Sequence, residues 1–268
     1  MSAKACVLGS PVSHSLSPKL HGHWLAKYGI DGSYTARETL AADLREALSD
    51  LVRRGFAGCN LTLPLKETAL ELMDALDESA RAAGAVNTVV IRNGETRGYN
   101  SDGFGFIAGL DAQVPAWGKS HIVIIGAGGA ARGIAAALKS EGVEKFSFIC
   151  RTPARAVKII RDLNLNGDVT KGLPGDASLL VNCTPLGLKG QPPLEIDISG
   201  LPKDAAVCDI VYRPLETPLL AAAKRHGLKT AAGLQMLLHQ GRLGFRHWFG
   251  IDPAVTPALE KEIVSWAS

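Results

Sequence analysis

Hydrophobic positions recur along this chain with two periods, and their order predicts strands alternating with helices. Ala5 to Leu8 is a short apolar strand that enters a turn rich in serine and proline, Gly9 to Pro18. Ser17 before Pro18 predicts a helix with the serine hydroxyl as N-cap, running to Tyr28 and stopping at Gly29. Ser33 to Glu38 predicts a second strand, and Leu44, Leu48, Leu51 and Val52 lie at helical spacing within 43–53. A third strand is predicted over Asn60 to Leu63. Alternation puts Asn60 and Thr62 on one face, Leu61 and Leu63 on the other, and Pro64 ends it. Lys66 falls in the turn before a predicted helix at 67–70, and two helical segments follow. Asn93-Gly94 predicts a hairpin between strands at 89–91 and 96–99. Asp102 can cap a helix starting at Gly103.

A connecting stretch at 111–120, with Pro115 and Gly118, leads into a second alternation. Ile122 to Ile125 is a wholly apolar strand that runs into Gly126-Ala127-Gly128-Gly129-Ala130 and then a helical stretch to about Lys139. Further strands are predicted at 146–150, 178–182 and 206–211, and helices at 216–225, 233–248 and 256–266. No repeat of fixed period and no low-complexity segment interrupts this order.

Composition narrows the class. At 268 residues, with 46% hydrophobic and 21% charged, the chain is a globular one of one large or two medium domains. A net charge of +3 without long basic runs gives no nucleic-acid footprint. No apolar run reaches the roughly 18 residues of a membrane span, and the first residues lack the pattern of a secretory leader. Cys6, Cys59, Cys150, Cys183 and Cys208 are odd in number and widely spaced, which points away from disulfides and zinc and towards a reducing cytoplasm. His14, His21 and His23 lack a metal-binding spacing and read as structural or solvated.

Three stretches carry candidate chemistry. Lys66, where a strand ends and a helix begins, is well sited for acid–base work, although alone it reads as a solvated lysine. Ser15 and Ser17 flank a helix N-terminus, where backbone N–H groups and the helix dipole favour an anion; Ser17 serves as a cap in either case. The buried strand, glycines and helix at 122–139 form a dinucleotide fingerprint. About 20 residues on, an NAD site places an acid on the ribose. Here Cys150-Arg151-Thr152-Pro153-Ala154-Arg155 has none, and its two arginines suit a 2′-phosphate, which points to NADP. The alternative is a solvated pair at a helix start.

In order, Ser13 to Pro18, Asn60 to Glu67, Ala83 to Thr88, Asn100 to Gly103, Gly126 to Arg132, Arg151-Thr152, Asp209 to Tyr212 and Gly233 to Gln240 together resemble shikimate dehydrogenases, over essentially the whole length. The resemblance implies two α/β domains with a cleft between them. The N-terminal substrate domain takes 1–105 plus 238–268, and the Rossmann-type NADP domain takes 106–237. It implies Lys66 as general acid/base with Asp102 as partner, Ser15, Ser17 and Tyr212 on a ring carboxylate, and Thr62, Asn87, Asp102 and Gln240 on the ring oxygens. For the cofactor it implies Gly126, Ala127, Gly128, Gly129, Ala130, Cys150, Arg151, Thr152 and Arg155 at the phosphates, Ile210 and Gly233 beside the nicotinamide, and Glu78 as a weaker match. The implied activity is reversible reduction of 3-dehydroshikimate by a cytoplasmic monomer or homodimer that binds neither nucleic acid, membrane nor metal. Quinate or an aminated ring as substrate, NAD as cofactor, or a silent NADP sensor are the rival readings. The serine pair favours shikimate over quinate. Cys150 stands where asparagine is usual, Ser101 where threonine is usual, and Gln235 where glycine is frequent; a thiol is a weak donor, so Cys150 offers a phosphate little.

Overall fold

The structure, a computed structural model, describes residues 2–267 and divides into two compact units. One comprises the chain up to Ser101 together with Leu238–Ala267, the other Asp102–Leu237.

In the first unit the chain runs β1 (Ala3–Gly9), α1 (Ser17–Lys27), β2 (Gly32–Glu38), α2 (Leu44–Arg53), β3 (Gly58–Leu61), β4 (Ala75–Leu76), α3 (Glu78–Ala83), β5 (Thr88–Arg92) and β6 (Glu95–Tyr99). The sheet order is β2-β1-β3-β5-β6-β4. β1 pairs in parallel with β2 and β3, whereas β3–β5 and β5–β6 are antiparallel. Five consecutive buried residues in β1 mark a central strand covered on both faces. One cover is α2, whose Leu44, Ala47, Leu48 and Leu51 form a helical stripe against Leu8, Leu61, Leu65, Val86 and Val89. Each fully buried leucine there contributes roughly 1.5–3 kcal/mol. An aromatic cluster built from α1, β2 and the C-terminal part of the unit packs His21, Trp24, Tyr34, Phe245 and Trp248 together.

The second unit runs α4 (Asp102–Gln113), β7 (His121–Ile125), α5 (Gly129–Ser140), β8 (Lys145–Ile149), α6 (Pro153–Asp162), β9 (Gly167–Val169), β10 (Leu179–Asn182), β11 (Ala206–Asp209), α7 (Pro218–Arg225) and β12 (Lys229–Ala232). α8 (Gly233–Phe249) begins in this unit and contributes from Leu238 onward to the first, as does α9 (Pro257–Ala267). The sheet order is β12-β11-β10-β7-β8-β9, with every pairing parallel. Counted from β7, this is the doubly wound dinucleotide-binding order, with the switch point between β7 and β10. The short edge strands β9 and β12 are half exposed, which is why no apolar run announced them.

Several local expectations are corrected. The third strand is Gly58–Leu61, because the chain beyond Leu61 closes a turn in which Leu65 N–H donates to the Thr62 carbonyl at 2.9 Å. The 67–70 helix is a 3₁₀ turn at Thr68–Leu72, and the chain then extends into β4. There the Asp74 carboxylate accepts both the backbone N–H and the hydroxyl of Thr96, each at 2.8 Å, which fastens this segment to β6. Ser17 is not an N-cap. The helix begins at Ser17 with Leu16 in the capping position, and the Ser15 hydroxyl accepts Ser17 N–H at 3.2 Å. α4 likewise begins at Asp102 itself.

Candidate active site

Lys66 sits on a turn fastened at three points. Thr62 N–H donates to Leu8 O (2.9 Å), Ser10 N–H to Leu63 O (3.0 Å), and Val86 N–H to the Lys66 carbonyl (2.8 Å). Leu65, fully buried, anchors the turn from below and leaves Lys66 half-buried above it. The close approach needs Gly9, since a Cβ there would lie 2.2 Å from Thr62 Cγ2. Thr62 and Lys66 thus share one rigid turn at the carboxyl end of β3, next to the β1 turn that leads to Ser15 and Ser17.

Beside this turn lies a buried cluster of uncharged polar groups. Tyr34 Oη donates to Asn60 Oδ1 at 2.6 Å. Asn60 Nδ2 donates to Asn87 O (3.0 Å) and Thr88 Oγ1 (3.1 Å). Asn87 Oδ1 accepts from Ser101 N–H (2.7 Å), and Ser101 Oγ reaches Gln240 Oε1 at 3.3 Å. Asn87 and Gln240, expected as ring ligands, are therefore brought together around Ser101. The Ser17 hydroxyl hydrogen-bonds the Tyr34 phenol, whose pKa burial pushes well above its ordinary value. His21 stacks on Tyr34 with centroids 4.0 Å apart. Burial drives its pKa down to about 3, and its Nδ1 has no hydrogen-bond partner, so it is a neutral packing group. The sequence alone assigns no role to Tyr34, Asn60 or Thr88. The one available signal was Tyr34, the single aromatic in an otherwise polar edge strand.

In the second unit the glycine loop is pinned between neighbouring strands by Gly126 N–H to Ile149 O (2.8 Å) and Cys183 N–H to Ile125 O (2.9 Å). Gly126 has φ +105°, and a Cβ there would meet Thr184 Cγ2 at 3.0 Å, so glycine is required. Gly128, at the N-cap of α5, faces open space, and no acid sits in the first helical turn. A pyrophosphate fits such a cradle, with backbone N–H groups and the helix dipole on its negative charge. Arg151 and Arg155 follow β8, beside the loop, and are exposed with Cys150 half-buried before them. Arg132 is instead tied to Asp162 at 2.9 Å. Arg151 and Arg155, with Thr152 between them, thus stand exposed at the start of α6.

Ile210 and Gly233 meet through the backbone: a Cβ on Gly233 would lie 2.2 Å from Ile210 O. Tyr212, half-buried, rides on the same loop, which the buried Asp209 organises. The Asp209 carboxylate accepts Val211 N–H (3.0 Å), Asn182 Nδ2 (3.0 Å) and Thr217 Oγ1 (2.7 Å). Burial raises its pKa, and those three donors oppose the rise. Glu78 is exposed at the start of α3, in the unit without the glycine loop. Asp102 is half-buried in the first turn of α4, where a carboxylate suits the helix dipole.

Residues 7–89 match the family model described as shikimate dehydrogenase substrate binding domain, and residues 233–260 that described as shikimate 5′-dehydrogenase C-terminal domain. A relative from Rhodospirillum rubrum named shikimate dehydrogenase (NADP(+)) is 47% identical, over 97% of this chain and 96% of its own. The crystal structure of shikimate 5-dehydrogenase from Thermus thermophilus, in complex with NADP(H) and shikimate, is 40% identical with a TM-score of 0.88, covering 99% of this chain and 100% of that one. Quinate dehydrogenase from Corynebacterium glutamicum, in complex with NAD, is 32% identical with a TM-score of 0.91, covering 98% and 99%. The fold and its glycine loop are those of a two-unit α/β nucleotide-dependent oxidoreductase. Within that class, the chain belongs to the shikimate dehydrogenase family.

Proposed function

We propose that this chain reduces 3-dehydroshikimate to shikimate reversibly with NADPH, in the cytoplasm, and that the unit holding Lys66 binds the ring while Asp102–Leu237 binds the nucleotide. The observation that carries the reading is the fastened turn holding Lys66 and Thr62 beside the neutral cluster that ends in Asn87 and Gln240. The cofactor supplies the hydride for the carbonyl carbon. Lys66, as ammonium, gives its proton to the ketone oxygen as charge develops there, and as amine takes it back in the oxidation direction. Asp102 orients the lysine and accepts a ring hydroxyl. Ser15, Ser17 and Tyr212 donate hydroxyl protons to the ring carboxylate, and Thr62, Asn87 and Gln240 hold the ring oxygens. On the cofactor, the loop 126–130 takes the pyrophosphate and Arg151 and Arg155 the 2′-phosphate. Ile210 and Gly233 border the nicotinamide.

The test is kcat/KM for shikimate and quinate, each with NADP and NAD, together with NADPH oxidation by 3-dehydroshikimate. Shikimate with NADP is expected to be the best pair. Quinate with NAD as the best pair would move the chain to the other activity, and no turnover of either would reduce it to a nucleotide-binding module.

A further inference from the structure

The amide end that each ring ligand presents is decided by buried neighbours, and proton counting identifies which one. The phenolic proton of Tyr34 goes to Asn60 Oδ1, so Asn60 turns its NH2 towards Asn87 O and Thr88 Oγ1. Thr88 Oγ1 is therefore an acceptor there, and its single proton has two acceptors in reach, Asn87 Oδ1 at 3.0 Å and Ser101 Oγ at 3.2 Å; the amide oxygen is the nearer and the stronger acceptor, and we assign the proton to it. Asn87 Oδ1 also takes Ser101 N–H at 2.7 Å. With those two donors in place, the one proton of Ser101 Oγ is not needed at Asn87, 3.1 Å away, and can serve Gln240 Oε1 at 3.3 Å. Both amides then keep their oxygens inside the cluster and turn their NH2 groups away from it. Thr88 and Ser101 are each fully buried, so no water competes for these protons.

We propose that Thr88 is a positioning residue: its hydroxyl directs the hydrogen bonds of the cluster so that Asn87 and Gln240 meet the substrate as donors. This rests on the assignment of Asn87 and Gln240 as ring ligands made above. Without the Thr88 proton, the Ser101 proton is drawn back to Asn87 Oδ1, and the Gln240 amide loses the bond that sets its orientation. The class of ligand follows from the chemistry: ring oxygens that accept are favoured, and a ring ammonium, which only donates, is not.

The experiment compares Thr88→Val, Thr88→Ser and Asn87→Ala by steady-state kinetics with 3-dehydroshikimate and NADPH, with thermal unfolding of each variant. Thr88→Val keeps the shape of a buried strand residue and is expected to lower kcat/KM for 3-dehydroshikimate about 3- to 10-fold, the worth of roughly one neutral hydrogen bond. The KM for NADPH should stay within about twofold. Thr88→Ser, which restores the hydroxyl on a smaller side chain, should recover most of the loss, an outcome that packing alone does not give. In the Asn87→Ala background Thr88→Val should cost markedly less than in wild type. If Thr88→Val keeps wild-type kcat/KM, or if Thr88→Ser falls as far as Thr88→Val, Thr88 positions nothing. If Asn87→Ala itself keeps wild-type kcat/KM, the ring-ligand assignment fails and this inference fails with it. Should Thr88→Val not fold, Thr88→Ala carries the same comparison with Thr88→Ser.

Discussion

In the first unit the polar groups buried beside the carboxyl end of β3 are all uncharged: Tyr34, Asn60, Asn87, Thr88 and Ser101. In the second, the corresponding place at the ends of β10 and β11 is held by a carboxylate, Asp209, ringed by Asn182, Thr217 and the Val211 amide. Each cluster is bonded through its interior, but they differ in what failure costs. A neutral amide that loses one partner keeps others. A buried carboxylate that is removed leaves three donors stranded at once. The titratable groups follow the same division: His21 escapes charge by staying neutral, whereas Asp209 is held by donors aimed at it. The neutral unit suits recognition of ring oxygens, where direction of donation matters. The other sits in the unit that carries the glycine loop and the exposed Arg151 and Arg155.

The sharpest way to break this contrast is to remove one residue from each cluster. Asp209→Ala is expected to lose about 3–4 kcal/mol in denaturant unfolding, since its three donors lose their acceptor together. Asn60→Ala should lose only about 2 kcal/mol, because Asn87 O still accepts Leu61 N–H at 2.9 Å and only the Tyr34 donor is left without a partner. Equal losses would erase the distinction.

The histidine prediction concerns pH. Unfolded chains take up a proton at His21 below about pH 6.5, and the folded one does not until about pH 3. The unfolded state thus binds more protons across that window, so the stability from a neutral His21 is fully present above pH 6.5 and declines as pH falls. At pH 5 the decline is about 2 kcal/mol. His21→Phe keeps the aromatic packing without the titration, and the stability difference between pH 7 and pH 5 should shrink by that amount. An unchanged difference would mean that His21 is charged or exposed.

The alternation of the two periods announced the main strands and helices, because β1 and β7 are buried runs and α2 and α8 carry clear stripes. The strand–glycine–helix unit at 121–140 was legible because both its apolar run and its bare turn are local. The neutral cluster was not. It depends on the register that sets Asn60 opposite Thr88 across β3 and β5, and on Tyr34 arriving from β2, none of which any single stretch encodes. Ser17 misled for a related reason: serine before proline is a sound cap signal, but its hydroxyl is occupied by Tyr34 from another strand.

Smaller effects test recognition. Arg151→Ala should raise the KM for NADP about 10-fold relative to that for NAD, the low end for a bond to a charged group at an exposed site. Added salt should weaken the wild-type preference, whereas it should leave the Thr88 effect unmoved. A ratio near one in wild type, or one unmoved by the substitution, would make the arginines surface charges. Ser17→Ala is the smallest in stability, expected to cost less than about 1 kcal/mol because no cap is lost, while the KM for the carboxylate substrate rises. A loss approaching 2 kcal/mol would restore the capping role.

The central claim is that Lys66, on its fastened turn, moves the proton. It is tested most directly by kcat for NADPH-dependent reduction of 3-dehydroshikimate in wild type and Lys66→Ala, with NADPH affinity and unfolding measured alongside. The account predicts a kcat lower by about 10²- to 10⁴-fold, the usual worth of general acid–base catalysis, in a protein that still folds and binds NADPH as before. A folded Lys66→Ala variant that keeps most of its kcat at neutral pH would contradict it.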